Sequence, residues 1–395
     1  LRTFLYSKSN VFNPILIGFF LAFSPFNFLN AQTQDSIEIS LEIQIRSNSA
    51  SAQFRKADLK YNKEFAYSFI LDDGLVSAYK VALPLFQGGL ISPPYTDEWL
   101  SDQGGNGSIS KGLFYSDGCG HRIPFRASIA INAHKIENDT LAHRGFLSWN
   151  EVRTLYHSGW GIMNHGFDHK TQKGSDFKKE IQLNQEAIQA QLGIETHYFI
   201  VPGGEGEWNY QNQYTNLAFE QGFTAVGGNT GEAILNISPP FKPEQFVYSR
   251  FFLNDKKGKI KPLKNSKKST LIHAFTHGVG NQNLWGISCT FPQFSQYMVS
   301  LESHFGIKGK DNIWMAPTEE IVDYIRIRDH YKMEYKRKDS TLSLILKIPL
   351  NLMNQRFRSI SLRVIHAKGF RIIGYKGCKN ITFNSSSKGL INLDF

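Results

Sequence analysis

Cysteine is scarce: Cys119, Cys289 and Cys378 are the three in 395 residues. That excludes a disulfide scaffold and leaves room for one bridge at most in an oxidising compartment. No two cysteines stand at metal-ligand spacing, so a thiolate zinc site is excluded too. Long apolar runs are equally scarce. Pro14 to Leu29 is the one such stretch, and it is short for a membrane span and holds Pro25. With Arg2 and Lys8 before it and Ala31 after it, the run reads as an export leader over 1–31, a retained anchor being the alternative. No stable transmembrane segment is expected elsewhere. The expected location is therefore exported, periplasmic or extracellular, with surface association open. Helix-turn-helix and finger spacings are absent. The cluster Lys256, Lys257, Lys259, Lys261, Lys264, Lys267 and Lys268 lacks interleaved aromatics. Nucleic acid is accordingly not an expected partner. The cluster contributes to a net charge of +10 and reads as a solvated loop, affinity for an acidic polymer or anionic surface being the sharper alternative.

What is present is the composition of a globular protein, 41% hydrophobic and 20% charged. Residues 32–60 read as a linker with one alternating strand, Ile37 to Ile43. From 61 to 330 apolar runs and amphipathic segments alternate. Phe65 to Leu71, Arg126 to Ile131, Gly161 to Asn164, His197 to Val201, Phe223 to Val226 and Thr270 to Phe275 read as strands buried on both faces. Between them, Ser148 and Glu151 form a capping-box pair, and helices are expected near 170–191, 210–221, 291–305 and 318–330. This order predicts an α/β fold, a barrel or layered parallel sheet. Past Tyr335 short strands separated by polar turns predict a small antiparallel β-domain over 331–395. Pro84 to Asp117 reads as a long loop, with Tyr115 to Gly120 expected near the mouth of any site. Trp99, Trp208, Trp285 and Trp314 are candidates for sugar stacking or for core.

Two short motifs carry chemistry. Ile70-Leu71-Asp72-Asp73-Gly74 ends a buried strand, and Gly74 lets the chain turn so that adjacent acids need not point apart. Asn164-His165-Gly166-Phe167-Asp168-His169 ends another, with two imidazoles spaced to share one face of a helical turn. Two histidines and one carboxylate suit a catalytic zinc with open positions. They equally suit the facial triad of iron oxygenases. A second acid beside the ligands favours hydrolysis, which needs a base.

The motifs, in this order, resemble those of the polysaccharide deacetylase family of the NodB-homology type. The resemblance covers roughly Phe65 to His330. Ile70 to Gly74 matches its Thr-Phe-Asp-Asp-Gly motif, and His165 to His169 matches its His-Ser/Thr-x-x-His motif. Leu147 to Val152 and Gly161 resemble the approach to the second. Ile200-Val201-Pro202-Gly203-Gly204 keeps only part of Arg-x-Pro-Tyr-Gly, with Ile200 where the family has the arginine that holds its base. Arg122, Arg126 and Arg153 are the candidates to replace it. The tryptophan motif has no match, Gly227-Gly228-Asn229 standing in its region. Leu271-Ile272-His273 and Phe275-Thr276-His277-Gly278 both answer the last motif, and the strand-end position favours His277.

The resemblance implies a distorted (β/α) barrel. It implies zinc, or another divalent transition metal, on Asp73, His165 and His169, with Asp72 as base. The proton donor is His277, or His273 in the alternative. A backbone amide near Gly203 would face the oxyanion. The implied reaction is removal of acetyl groups, N-acetyl first, from an acetylated carbohydrate or polysaccharide. The alternative is a non-catalytic exported carbohydrate-binding protein on the same fold.

Overall fold

Seven consecutive residues, Phe65–Leu71, lie fully buried and form strand β1. Only a strand covered on both faces carries such an uninterrupted apolar run. In this computed structural model the described residues are 35–46, 51–94, 103–138, 145–203, 211–228, 231–242, 245–253, 268–280, 289–386 and 389–395. The expected leader and most of the lysine cluster lie outside them, as do Trp99, Trp208, Trp285 and Gly204.

Around β1 a parallel sheet curls into a nearly closed barrel. Its further strands are β2 (Ser128–Ile131), β3 (Gly161–Asn164), β4 (Tyr198–Ile200), β5 (Ala225–Gly228), β6 (Phe246–Ser249), β7 (Phe251–Phe252) and β8 (Thr270–Thr276). Neighbours pair in parallel from β8 through β1, β2, β3, β4 and β5 to β6. Strand β7 then pairs with β8. One residue, Arg250, separates β6 from β7, so it sits at the seam where the ring meets itself. Ile70, Ala130, Met163, Ile200, Ala225 and Tyr248 belong to one interior cluster, with Val322 from a helix below.

That helix, Thr318–His330, follows the short strand Ile313–Met315, which pairs with the start of β1. Its first turn closes the lower end of the barrel. Thr318 Oγ1 meets Ser68 Oγ at 2.6 Å, and Ser128 Oγ donates to Glu319 Oε2 at 2.8 Å. Outside the ring, Trp149–His157 is capped by the expected box of Ser148 and Glu151. Phe177–Leu192 starts later than expected, at an Asp176 cap, and ends at Gly193 in the left-handed conformation. Gln211–Glu220 and Phe291–Phe305 complete the surrounding helices.

The second region is an antiparallel sandwich. One sheet runs in the order Lys332–Lys338, Thr341–Pro349, Ser36–Ile45, Phe370–Lys376, and the other in the order Gln53–Lys56, Ser359–Ile365, Leu390–Asp394, Asn380–Asn384. Residues 36–45, where the sequence suggests a strand within a linker, are a ten-residue strand between two C-terminal ones. Ile39, Leu41 and Ile43 face the same core as Leu344, Leu346, Leu362 and Leu393. Contacts group Ser36–Phe395 as a single compact unit. The Tyr115–Gly120 segment is not at the barrel mouth. Gly118 O accepts from Asn384 and Asp117 O from Asn392, so the segment is strapped to the sandwich. Ser116 is bonded to Asp311, just before Ile313–Met315, at the opposite end of the barrel.

Candidate functional site

The acid pair follows β1 directly. Asp73 has φ +69° and Gly74 φ +67°, so the chain turns through two left-handed residues. For aspartate that conformation costs about 1 kcal/mol, and such strain collects where a site requires it. The turn separates the two carboxylates. Asp72 is 2% exposed, beneath the mouth. Asp73 turns toward the loop that follows β3.

That loop carries both histidines, and it is not helical as the spacing had suggested. Gly166 at φ +74° and His169 at φ +56° fold it back, which brings imidazoles four residues apart together without a helix. Buried amides hold the loop. Asn132 Nδ2 donates to the carbonyls of His165 and Gly166, Asn164 Oδ1 accepts from Gly166 N–H, and Asn184 Nδ2 donates to Asn164 Oδ1. Glu180 Oε2 accepts the Asp168 N–H at 2.8 Å. Of these supports Asn164 opens the histidine motif, while Asn132, Glu180 and Asn184 lie outside the short motifs.

Ligand atoms of Asp73, His165 and His169 lie within 4.8 Å of one another. Asp73 Oδ1 is 3.4 Å from Nε2 of each histidine. His165 Nδ1–H donates to the Ile200 carbonyl at 2.8 Å, which fixes the tautomer and turns the Nε2 lone pair to the centre. Ile200, lacking the family's side chain, still orients a ligand through its backbone. Gly203 N–H donates to His169 Nε2 at 3.2 Å, the lone pair that a cation held there would take over. Burial and then the neighbouring His165 push the His169 imidazole down to about 4. Burial would raise the Asp73 carboxyl, but the close approach of the His165 imidazole and the electrostatic influence of His277 and Lys135 hold it well below the usual range. A deprotonated carboxylate and neutral imidazoles are what a divalent cation requires, and buried Asp73 Oδ1 and His165 Nε2 lack a hydrogen-bond partner among the described residues. The donor set therefore fits a zinc-like ion.

Asp72 has an arginine after all. Arg250 Nη1 donates to Asp72 Oδ1 at 2.8 Å, with side chains only 4% and 3% exposed. Its guanidinium lies 4.0 Å over the Phe275 ring. None of the arginines expected from the sequence fills this role. Arg126 is 2.5 Å from Glu320, Arg153 bonds Asn150 and the Gln191 carbonyl on a helix surface, and Arg122 is exposed. The missed signal was Phe246 to Phe252, an apolar run broken at Ser249 and Arg250, which forms the two strands β6 and β7.

The two remaining histidines part company. His273 lies within β8, fully buried and stacked on Tyr248 at 3.9 Å. Burial, with the Arg250 charge, lowers it to about 3. His277 follows the end of β8, half-buried against Phe252 and Phe275. Trp314 is fully buried core and presents no face to a sugar.

Residues 124–226 match the family model described as polysaccharide deacetylase. That span holds both histidines but neither acid of the pair, nor Arg250 or His277. No curated protein matches the sequence. Among solved structures, one similar chain is the Streptococcus pyogenes deacetylase PplD in complex with acetate, at 13% identity and TM-score 0.27, covering 42% of this chain and 56% of that one. This chain thus spans little more than half the length of the streptococcal protein. Another is the Bacillus cereus polysaccharide deacetylase Bc1974, at 13% identity and TM-score 0.34, covering 65% of this chain and 92% of that one. A third is a mutant of BA3943, a CE4-family pseudoenzyme with restored enzymatic activity, at 9% identity and TM-score 0.35, covering 66% and 68%. Likenesses this distant set no residue correspondence.

Proposed function

We propose that this chain, which carries a polysaccharide deacetylase domain, removes acetyl groups from a carbohydrate polymer by metal-dependent hydrolysis, N-acetyl groups being the first substrates to test. The observation that carries the reading is the separation of roles within the acid pair. Asp73 converges with His165 and His169, while Asp72 is held apart by Arg250. Asp73, His165 and His169 would hold a divalent cation, which would supply Lewis acidity toward water and the acetyl carbonyl.

The chain's own groups do the rest. Asp72 accepts the proton of the attacking water, and the salt bridge to Arg250 keeps the carboxylate in one position. With His169 Nε2 given to the cation, the Gly203 N–H is released from that nitrogen and stabilises charge on the former carbonyl oxygen. His277, at the rim, donates a proton to the departing nitrogen; His273, stacked inside the barrel on Tyr248, is a packing residue in this reading. An iron oxygenase would have no use for the second acid. The feature that favoured a non-catalytic binding protein was Ile200, and Arg250 supplies the guanidinium that Ile200 does not. Export, from the apolar stretch between Pro14 and Leu29, is part of the same proposal.

The test is acetate release from a panel of N- and O-acetylated glycans, with and without a chelator. Chelator-sensitive release on one of them is expected. Metal-loaded protein that releases no acetate from any of them would overturn the reading.

A further inference from the structure

We infer that the end of the barrel opposite the acid pair carries a second site, which binds an uncharged sugar unit. A cavity of about 400 Å³ lies there, between the barrel and the sandwich. That is within the range of small-molecule sites, roughly 300–1,000 Å³. Its barrel wall is Ile162 in β3 and Thr196 to Tyr198 at the start of β4. His165 follows the other end of β3, and Ile200 ends β4, so the metal centre stands at the C-terminal ends of the same strands. One face of the floor helix gives Glu319, Asp323 and Arg326, at positions i, i+4 and i+7. The sandwich gives Gln355 and Arg356, from the connection between Thr341–Pro349 and Ser359–Ile365.

The observation that carries the inference is Gln355. It is 8% exposed, yet neither its Nε2 nor its Oε1 has a hydrogen-bond partner among the described residues. A buried amide unpaired at both ends is destabilising, and folded proteins seldom keep one without a use. The chain beside it is pinned. Arg356 Nη1 donates to the Trp160 carbonyl at 2.6 Å and Nη2 to the Tyr156 carbonyl, and Phe357 N–H donates to Asp323 Oδ2 at 3.2 Å. Gln355 is therefore held at the cavity while its amide is left unused, which is the arrangement of a preorganised binding group. Arg326 Nε, from the floor helix, also lacks a partner among the described residues. The Tyr198 hydroxyl donates to Asp323 Oδ1 at 3.0 Å, so these two shape the cavity. Gln355 and Arg326 are the groups assigned to the ligand.

The class of ligand follows from what lines the cavity. Burial pushes the Asp323 carboxyl up to about 7 and raises that of Glu319, and it pushes the His197 imidazole down. These acids and this base alike lean toward their neutral forms. The lining sets the Arg326 and Arg356 guanidiniums against the acids Glu195, Glu319 and Asp323, so an anion and an ammonium group would each meet like charge. An apolar ligand would leave the Gln355 amide buried without a partner. A flat base needs a ring to stack on. Tyr156 already carries the Arg356 guanidinium 3.7 Å from its ring centroid, and the Tyr198 ring is buried. Neighbouring sugar hydroxyls both donate and accept, which matches an amide that presents its NH2 and its carbonyl side by side. The inference does not depend on the deacetylase reading, since the cavity shares no residue with the metal centre.

The full chain is titrated by calorimetry with cellobiose, maltose and xylobiose, beside the variant Gln355→Met. These sugars carry no acetyl group and a chelator is present, so the metal centre takes no part. Saturable binding of at least one of them is expected, with glucuronate and glucosamine binding more weakly. Gln355→Met keeps the length of the side chain and removes its polar atoms, and it should bind that sugar roughly tenfold more weakly. Its melting temperature should hold or rise, because an unpaired buried amide has been removed. A fall would mean that the fold already satisfies the amide, and would overturn the proposal. So would no binding of any of the three sugars, or equal binding by wild type and variant. Tighter binding of glucuronate, glucosamine or adenosine than of the disaccharides would overturn it as well.

Discussion

Replacing Arg250 by methionine tests the link between the barrel seam and the base. The Arg250–Asp72 bridge is 2.8 Å long between side chains 4% and 3% exposed. Opposite unit charges at that separation attract by roughly 6 kcal/mol at an effective dielectric of about 20. Desolvation of both groups offsets much of this in the intact pair. The variant keeps the desolvation of Asp72 and loses the attraction, so it should be destabilised by about 3–5 kcal/mol. The base also loses the group that positions it. A misplacement near 1 Å costs about 10²-fold in rate, equivalent to about 2.7 kcal/mol of barrel-imposed alignment. Thermal unfolding, bound metal and acetate release are measured together. The expected result is a lower melting temperature, metal still bound, and kcat reduced about a hundredfold. Arg250→Lys, which keeps the charge without the planar fork, should fall between. In the double variant Asp72→Asn/Arg250→Met the stability losses should be far from additive, since each partner's cost depends on the other. Arg250→Met with wild-type kcat and stability would refute the argument.

The remaining predictions concern the ligands, the rim, the barrel interior and the floor. His165→Ala, His169→Ala and Asp73→Ala should each lose bound zinc, read by elemental analysis, whereas Asp72→Asn should keep it and lose acetate release; bound zinc in all three ligand variants would sink the assignment. Chelation should lower the melting temperature, because a ligand present at 100 times its Kd contributes about 2.7 kcal/mol. His277→Ala should lower kcat by about 10²- to 10⁴-fold while His273→Phe keeps the stack on Tyr248 and most of the activity; the opposite ranking would make His273 the donor. The imidazole of His273 is held at about 3 in the folded state, below its ordinary value of 6.5. The unfolded chain therefore takes up that proton first, so its contribution to stability is complete above pH 6.5 and is lost as the pH falls toward 3. Metal-free wild type should show this slope, and His273→Phe should flatten it. Gly161→Ala would drive a Cβ into the Glu319 carboxylate. It should destabilise the protein by about 1–3 kcal/mol through the floor helix, as overpacking does.

Much of this protein was legible along the chain, because much of it is local. Phe65–Leu71, Phe291–Phe305 and Thr318–His330 fall at the expected residues, since burial pattern, caps and helix-dipole charges are written into short windows. The acid pair and the paired histidines were visible for the same reason. The alternation of strand and helix foretold a barrel or a layered parallel sheet, the resemblance favoured the barrel, and the C-terminal periodicity foretold the antiparallel sheets. What the chain could not declare were partnerships between distant segments. Ser36–Ile45 reads as an isolated strand until Thr341–Pro349 and Phe370–Lys376 stand on either side of it. Tyr115–Gly120 reads as a loop of no fixed address until Asn384 and Asn392 bind it. The missing arginine is the sharpest case. Position 200 decides which side chain is absent, and that is a fact of sequence. That position 250 replaces it follows only from closure of the ring. Once β6 pairs with β5, and β7 with β8, the residue between them is carried to the carboxylate at the end of β1. A salt bridge is blind to the number of residues between its partners; it depends on the distance that folding leaves between their charges.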